Sequence, residues 1–315
     1  MTPNLASKLT IDNLFQGIYY NLETSSFLNG LVKMHFQNEN GQLWNGDSLI
    51  WLTSIPDGSI DLVFADPPYN INKAHWDKFH GSHVYKQWCL EWIYQVYRIL
   101  KPTGTFYMCG FSEIIAELVP PTLEYFKSIK WLIWHYKNKA NLGKDWGRSH
   151  ESILHFRKSS DFTFNMDDVR TPYHNHTLKY PSHPQAETSN FSNNGLKHEW
   201  TPHPDGSKAK DVIEIPTTCN GMHEKTAHPT QKPEELLRKL ILASSNPDDI
   251  ILDPFIGSGT TAVCAEQLQR KWLGCDTEVK YLDWAVDRIV HVKQKSPTYW
   301  IEADKKTQKR RMSIR

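Results

Sequence analysis

The chain has 315 residues, enough for one large α/β domain with a smaller insert and a complete core. Hydrophobic residues make up 39% and charged residues 23%, an ordinary globular balance, and no apolar run nears the ~20 residues of a membrane span. The net charge of +1 announces no nucleic-acid partner, and the opening MTPNLASKLTIDNLF lacks the charged-then-apolar plan of a secretory leader, so a cytoplasmic protein with no membrane partner is expected. Cys89, Cys109, Cys219, Cys264 and Cys275 stand far apart with no CxxC pair, so reduced thiols are expected rather than zinc ligands or disulfides.

An irregular N-terminal stretch leads to Ser59–Ala65, a near-continuous apolar run behind the turn Pro56-Asp57-Gly58, which predicts a buried parallel strand. Val84, Trp88, Trp92, Val96 and Leu100 recur every four residues, an amphipathic helix that stops at Lys101-Pro102-Thr103-Gly104. Thr105–Cys109 predicts the next strand, Phe111–Val119 a helix, and Trp131–Tyr136 and Ser152–Phe156 two more strands. From Lys158 to Thr226 periodicity is lost and Asn, His, Ser, Pro and Thr dominate, so this segment is expected to be a loop-like insert. The histidines from His174 to His228 lack metal-ligand spacing and read as polar loop residues; no metal site is expected. Pro233-Glu234-Glu235 opens a helix to about Ser244. Ile250–Leu252, Thr260–Leu268 and Trp272–Cys275 then predict strand, helix and strand. Alternating elements with short loops predict an α/β fold with a doubly wound, mostly parallel sheet.

Ligands of such sheets sit beyond the carboxyl ends of the strands. One predicted strand runs into Asp253-Pro254-Phe255-Ile256-Gly257-Ser258-Gly259-Thr260-Thr261, where two glycines allow positive φ and close approach to a helix start. Asp276 ends the following strand about twenty residues on, where an acid conventionally accepts ribose hydroxyls. Thr261 and Ala262 stand where the dinucleotide pattern would place its third glycine, which disfavours a nicotinamide oxidoreductase. The other loop is Asp66-Pro67-Pro68-Tyr69-Asn70. Its carboxylate, stiffened carbonyls and aromatic face form a receptor for a flat group bearing an NH₂; a proline-rich surface turn is the bland alternative.

Asp66-Pro67-Pro68-Tyr69 resembles the catalytic motif of DNA N6-adenine and N4-cytosine methyltransferases, and Asp253–Thr260 resembles their cofactor motif. The catalytic motif comes first, the order of the β class, a circular rearrangement of the methyltransferase fold. Asn45-Gly46-Asp47-Ser48-Leu49, Lys101-Pro102-Thr103-Gly104, His150-Glu151-Ser152-Ile153-Leu154 and His228-Pro229-Thr230-Gln231-Lys232-Pro233 resemble further elements of that family, and the resemblance spans about Asn45 to Ile289 apart from the insert.

The resemblance implies transfer of a methyl group from S-adenosylmethionine to N6 of adenine in double-stranded DNA, on a base flipped out of the duplex. Members acting on N4 of cytosine more often carry Ser in place of Asp66, so adenine is favoured; a catalytically idle DNA-binding protein is the alternative of another class. Asp66 and the Pro67 carbonyl would accept the amino hydrogens, with Pro68 stiffening the loop and Tyr69 stacking on the base. Asp253, Phe255, Gly257, Gly259 and Thr260 would surround the methionine part of the cofactor, Thr230 and Lys232 its carboxylate, Asp276 its ribose and Asp47 its adenine.

Domain boundaries follow: an N-terminal extension to 40, a catalytic half over 41–157, a target-recognition insert over 158–226, a cofactor half over 227–301 and a basic tail over 302–315. Ile71–Phe79 is expected to close over DNA or to lead into the next helix around Trp76. The Lys127–Arg148 stretch, with Trp131, Trp134, Tyr136 and Trp146 among its basic residues, and the Lys305–Arg315 tail suit phosphate contact and stacking, although a charge run by itself reads first as solvated surface. A homodimer and a companion restriction endonuclease are compatible with the family; neither is visible in the sequence.

Overall fold

The computed structural model describes residues 14, 17–18, 30–138, 144–181, 183–184, 199–293 and 295–313. Lys139, most of the expected N-terminal extension and residues 185–198 of the insert lie outside them. Nine strands form one sheet: β1 (Val32–Gln37), β2 (Gly41–Gly46), β3 (Ile60–Ala65), β4 (Leu100–Gly110), β5 (Ser128–His135), β6 (His150–Arg157), β7 (Val212–Glu214), β8 (Ile250–Asp253) and β9 (Lys271–Asp276). Their spatial order is β1-β2-β9-β8-β3-β4-β6-β5-β7. The run β2-β9-β8-β3-β4 is parallel throughout, whereas β1 and β6 are antiparallel to their neighbours. The sheet is therefore mostly parallel, as its sequence texture predicts.

Helices cover both faces. Leu62 and Phe64 of β3 join one apolar cluster, and Val63 and Ala65 join the other. Burial of both strand faces is why this segment reads as a continuous apolar run. On one face lie α1 (Ser48–Ser54) and α2 (Ser82–Ile99); on the other lie α3 (Glu234–Ser244), α4 (Thr260–Gln267) and α5 (Val279–Val290). The buried stripe of α2 runs through Tyr85, Cys89, Trp92, Ile93, Val96 and Ile99, so Val84, expected on it, is instead exposed.

Two expectations are amended. The irregular N-terminal stretch contains β1 and β2, and Val32, Met34 and Phe36 alternate with polar residues as an edge strand should. The insert is also less separate than its composition implies. Its residues Val212–Glu214 add β7 to the sheet beside β5, and Val169 is buried in the core. Asn165 ties the insert to the carboxyl end of α3 through Leu242, Ala243 and Ser245. The basic tail belongs to a helix, α6 (Pro297–Ser313), fastened by Arg238–Asp304 and Arg311–Glu235 ion pairs. No helix among the described residues is long and apolar enough to cross a membrane.

Candidate active site

Four neighbouring parallel strands, β2, β9, β8 and β3, each deliver an aspartate to the same edge: Asp47, Asp276, Asp253 and Asp66. β6 runs the other way but starts at this edge, since Gly110 of β4 pairs with Ser152, so Glu151 arrives there as well. The edge is thus rich in carboxylates, and Lys232 brings an ammonium among them.

The Asp253–Thr261 loop is held mainly by side chains that bond its backbone groups. Asp253 accepts the Phe255 N–H at 2.9 Å and the Thr261 hydroxyl at 2.5 Å. Asp276 accepts the N–H groups of Gly257 and Glu278, both at 2.9 Å. Arg288 of α5 donates to the Ser258 carbonyl and the Thr260 hydroxyl, and the Ser48 hydroxyl donates to the Pro254 carbonyl. Burial raises the Asp253 carboxyl to about 7, aided by the charges of Asp66 and Asp276, while its two donors oppose the shift. Burial likewise raises Asp276 to about 6 against the pull of its backbone donors.

The glycines have different jobs. Gly259 (φ +79°) lies against α5, and a Cβ there would meet Ala285 Cβ at 2.6 Å. Gly257 (φ +49°) faces His228, whose Nε2 would stand 3.0 Å from an added Cβ. Only Gly257, then, is spare of bulk on the cavity side, and Gly259 serves helix packing.

This loop borders a cavity of about 400 Å³ lined by Asp47, Phe255, Gly257, Thr230, Lys232 and Asp276, with Asp253, Thr260 and His228 also contributing. Asp47 caps α1, its Oδ1 accepting from Leu49 and Ile50. The aromatic ring of Phe255 packs on Trp88 and Trp92. The His228-Pro229-Thr230-Gln231-Lys232-Pro233 segment is pinned by Gln231, which accepts from Thr226 and donates to the Glu224 carbonyl. His228 is more than a polar loop residue: it is buried, meets the Tyr281 ring edge-on at 4.4 Å and lines the cavity. Burial and the nearby Lys232, Lys225 and Arg288 charges lower it to about 4, so it is neutral at pH 7.

A second cavity, of about 410 Å³, abuts the first. Its walls include Asp66, Pro67, Tyr69, Phe111, Trp134 and Glu151. Both cavities are lined by Asp66, Trp76, Thr230, Gln231 and Lys232. The Asp66-Pro67-Pro68-Tyr69 loop is fixed from below by Tyr85, whose hydroxyl donates to the Pro68 carbonyl at 2.7 Å. Its exit is held by Asp77, 1% exposed, which accepts the N–H groups of Asn70, Ile71 and Lys73 at 2.6, 3.2 and 2.9 Å. Ile71–Phe79 leads toward α2, with Phe79 packed on Tyr85 and Trp88 of that helix. The segment folds back toward α5, with Trp76 Nε1 donating to the Tyr281 hydroxyl and His75 pairing with Glu278.

Lys232 is where the structure departs most from the sequence-based expectation. Its side chain is 7% exposed, and Nζ stands 2.6 Å from Asp66 and 3.3 Å from Glu151 instead of addressing the first cavity alone. Burial by itself lowers the ammonium's affinity for its proton, but the two carboxylates more than offset this and hold it above its ordinary value. The Tyr69 hydroxyl completes the cluster, 2.7 Å from Asp66 and 3.2 Å from Glu151. In the sequence Glu151 belongs to the His150–Leu154 motif, and no role follows from it. The signal was a His-Glu pair at a strand start; its meaning needed the antiparallel register of β6.

The aromatic residues of the basic stretch serve mostly as core. Trp134 and Tyr136 are buried, and Trp131 is half-buried with its Nε1 donating to Ser152. Trp146 differs, at 97% exposure, on the β5–β6 connection, from which Asn138 lines the second cavity. Lys137 pairs with Glu214, while Arg148 pairs with Glu113 and lies over the Phe111 ring at 3.8 Å.

A family model for N6 and N4 methyltransferases, described as DNA methylase, matches residues 60–287. The type II methyltransferase M.BglII of Bacillus subtilis is 34% identical over 254 residues, 78% of this chain and 67% of its own length. The DNA adenine methyltransferase YhdJ of Escherichia coli (strain K12) is 32% identical over 272 residues, 82% of this chain and 86% of its own. Among solved structures, the cytosine-N4-specific PvuII DNA methyltransferase superposes with a TM-score of 0.61 at 19% identity, covering 86% of this chain and 93% of that one. That likeness speaks for the fold.

Proposed function

The chain belongs to the family of DNA amino-methyltransferases that act on N6 of adenine or N4 of cytosine, and from that premise we propose that it methylates N6 of adenine in double-stranded DNA, using S-adenosylmethionine and a base rotated out of the duplex. The observation that carries this is the meeting of two cavities at Asp66. A methyl donor and a base must touch at one atom while otherwise lying apart, and adjoining cavities with one shared carboxylate meet that demand.

The first cavity fits the cofactor. Asp276 and Asp47 offer acceptors for hydroxyl and amino groups, the carboxylate-rich edge suits a sulfonium cation, and Phe255, Gly257, Thr260 and Asp253 shape the floor, with Gly259 holding the loop against α5. Thr230 stands at the boundary of both cavities, and Lys232 beside it lies within reach of an anionic group in the first. When bound, S-adenosylmethionine supplies an electrophilic methyl group.

The second cavity fits a flipped base. Tyr69 and Phe111, edge to face at 5.0 Å, and Trp134 give it aromatic walls, where stacking is worth about 1–3 kcal/mol per base. An exocyclic amino nitrogen is a poor nucleophile because its lone pair is delocalised into the ring. Asp66 and the Pro67 carbonyl, accepting one hydrogen each, would favour the pyramidal nitrogen and stabilise the positive charge that grows on it. Asp66 rather than Ser at this position favours adenine over cytosine. Thr217, Thr218 and Cys219 of the insert line the same cavity, which supports a role for the insert in target recognition.

The test is methylation-sensitive sequencing of DNA from cells expressing the protein, beside cells expressing Asp66→Ala. N6-methyladenine at one recurrent site, absent with the variant, is expected. N4-methylcytosine at that site would overturn the choice of base, and unmodified DNA would overturn the activity.

A further inference from the structure

Asp66 and Glu151 face one ammonium, so the buried cluster at the second cavity holds one negative charge in excess. The two carboxylates are not equivalent. Asp66 has the short contacts, 2.6 Å to Lys232 and 2.7 Å to the Tyr69 hydroxyl. Glu151 has the long ones, 3.3 Å to Lys232 and 3.2 Å to the same hydroxyl, which carries a single proton to give. The charge of Asp66 is therefore the more neutralised of the two, and that of Glu151 the less.

This matters at the reacting nitrogen. An amino group attacking a methyl becomes cationic, and an ammonium beside its acceptor opposes that change. With Asp66 and Lys232 alone, the pair would be neutral where a positive charge must grow. We infer that Glu151 is the charge-balancing residue of the reaction centre: it offsets Lys232 so that Asp66 acts on the amino group from a site of net negative charge. Lys232 in turn keeps two carboxylates from repelling each other in a buried place. The inference rests on the function proposed above and goes beyond it, because it assigns a role by charge and not by contact with the base alone.

The measurement is the single-turnover rate of methyl transfer at saturating S-adenosylmethionine, with a duplex carrying the target site. Glu151→Gln keeps the shape of the side chain and removes its charge. It should lower the rate at least tenfold, with thermal melting and cofactor affinity close to wild type, whereas Glu151→Asp, which keeps the charge, should lose less. The decisive variant is Glu151→Gln/Lys232→Gln, which restores the excess negative charge by removing both partners and should be several-fold faster than Glu151→Gln. A purely structural role for Glu151 predicts the reverse, since the double variant loses more contacts. Rates of Glu151→Gln within twofold of wild type, or a double variant no faster than Glu151→Gln, would overturn the inference. Wild-type protein that fails to methylate any DNA would instead overturn the function proposed above.

Discussion

The two halves of the cleft are built on opposite plans. On the cofactor side, Asp253 and Asp276 spend their oxygens on backbone N–H groups and a neighbouring hydroxyl, and every partner lies within about twenty-five residues of chain. On the base side, Asp66, Tyr69, Glu151 and Lys232 meet through side chains alone, up to 166 residues apart. A cradle made of backbone has a fixed shape and tolerates little change in bulk; a cluster of side-chain charges has a tunable field and tolerates little change in charge. Substitutions should therefore fail differently on the two sides.

The largest effect is expected from Asp66→Ala. Removing the acceptor that faces the base should lower methyl transfer by about 10²–10³-fold or more, while S-adenosylmethionine affinity by isothermal titration stays within a few fold. Near-normal turnover would remove Asp66 from the chemistry and collapse the contrast.

Next come the glycines, which test bulk. Gly259→Ala forces a Cβ into Ala285 and a left-handed backbone on an L residue, so thermal melting should report about 1–3 kcal/mol of lost stability. Gly257→Val carries left-handed strain too, but its bulk on the cavity side should also lower cofactor affinity, and more than Asp276→Ala does. Unchanged affinity in both would place the cofactor elsewhere.

A smaller effect concerns pH. In an unfolded chain the Asp253 carboxyl ionises near pH 4, whereas burial raises it to about 7 in the fold. The folded state keeps that proton longer, so this group's contribution to stability falls as pH rises from about 4 to 7 and is level above. Asp253→Asn has no such proton. Its denaturant midpoint should change less between pH 5 and pH 8 than that of wild type, and an equal change would assign the pH dependence to other groups.

The smallest expected effect lies outside the cleft. Lys137→Ala/Lys144→Ala removes two exposed charges of the basic stretch between β5 and β6. Affinity for cognate and scrambled duplexes should weaken alike, and the log–log salt slope should flatten by up to roughly one unit per lost contact. Loss of cognate preference with an unchanged slope would mean that these lysines read sequence.

The same contrast explains what the sequence makes legible. The Asp253–Thr261 loop, Asp276 and the strands that carry them stand in order along a short segment, so spacing alone suggests their cooperation. Asp66 was legible as the end of an apolar strand followed by two prolines. Glu151 was not, because its arrival beside Asp66 depends on Gly110 pairing with Ser152, a register no local pattern states. Lys232 reads from the sequence as a cofactor neighbour, whereas its carboxylate partners come from the ends of β3 and β6, far away in the chain. Val212–Glu214 is too short, at three residues, to show a period, and Trp134 and Tyr136 look alike as stacking platforms or as core until the sheet is closed.

Trp76, Thr230, Gln231, Lys232 and Asp66 form a party wall between the two cavities. A guest on one side that shifts any of these five residues redraws the room on the other. Such an influence is a free energy shared by both binding events, so whatever factor the cofactor imposes on the affinity for DNA, DNA imposes on the affinity for the cofactor.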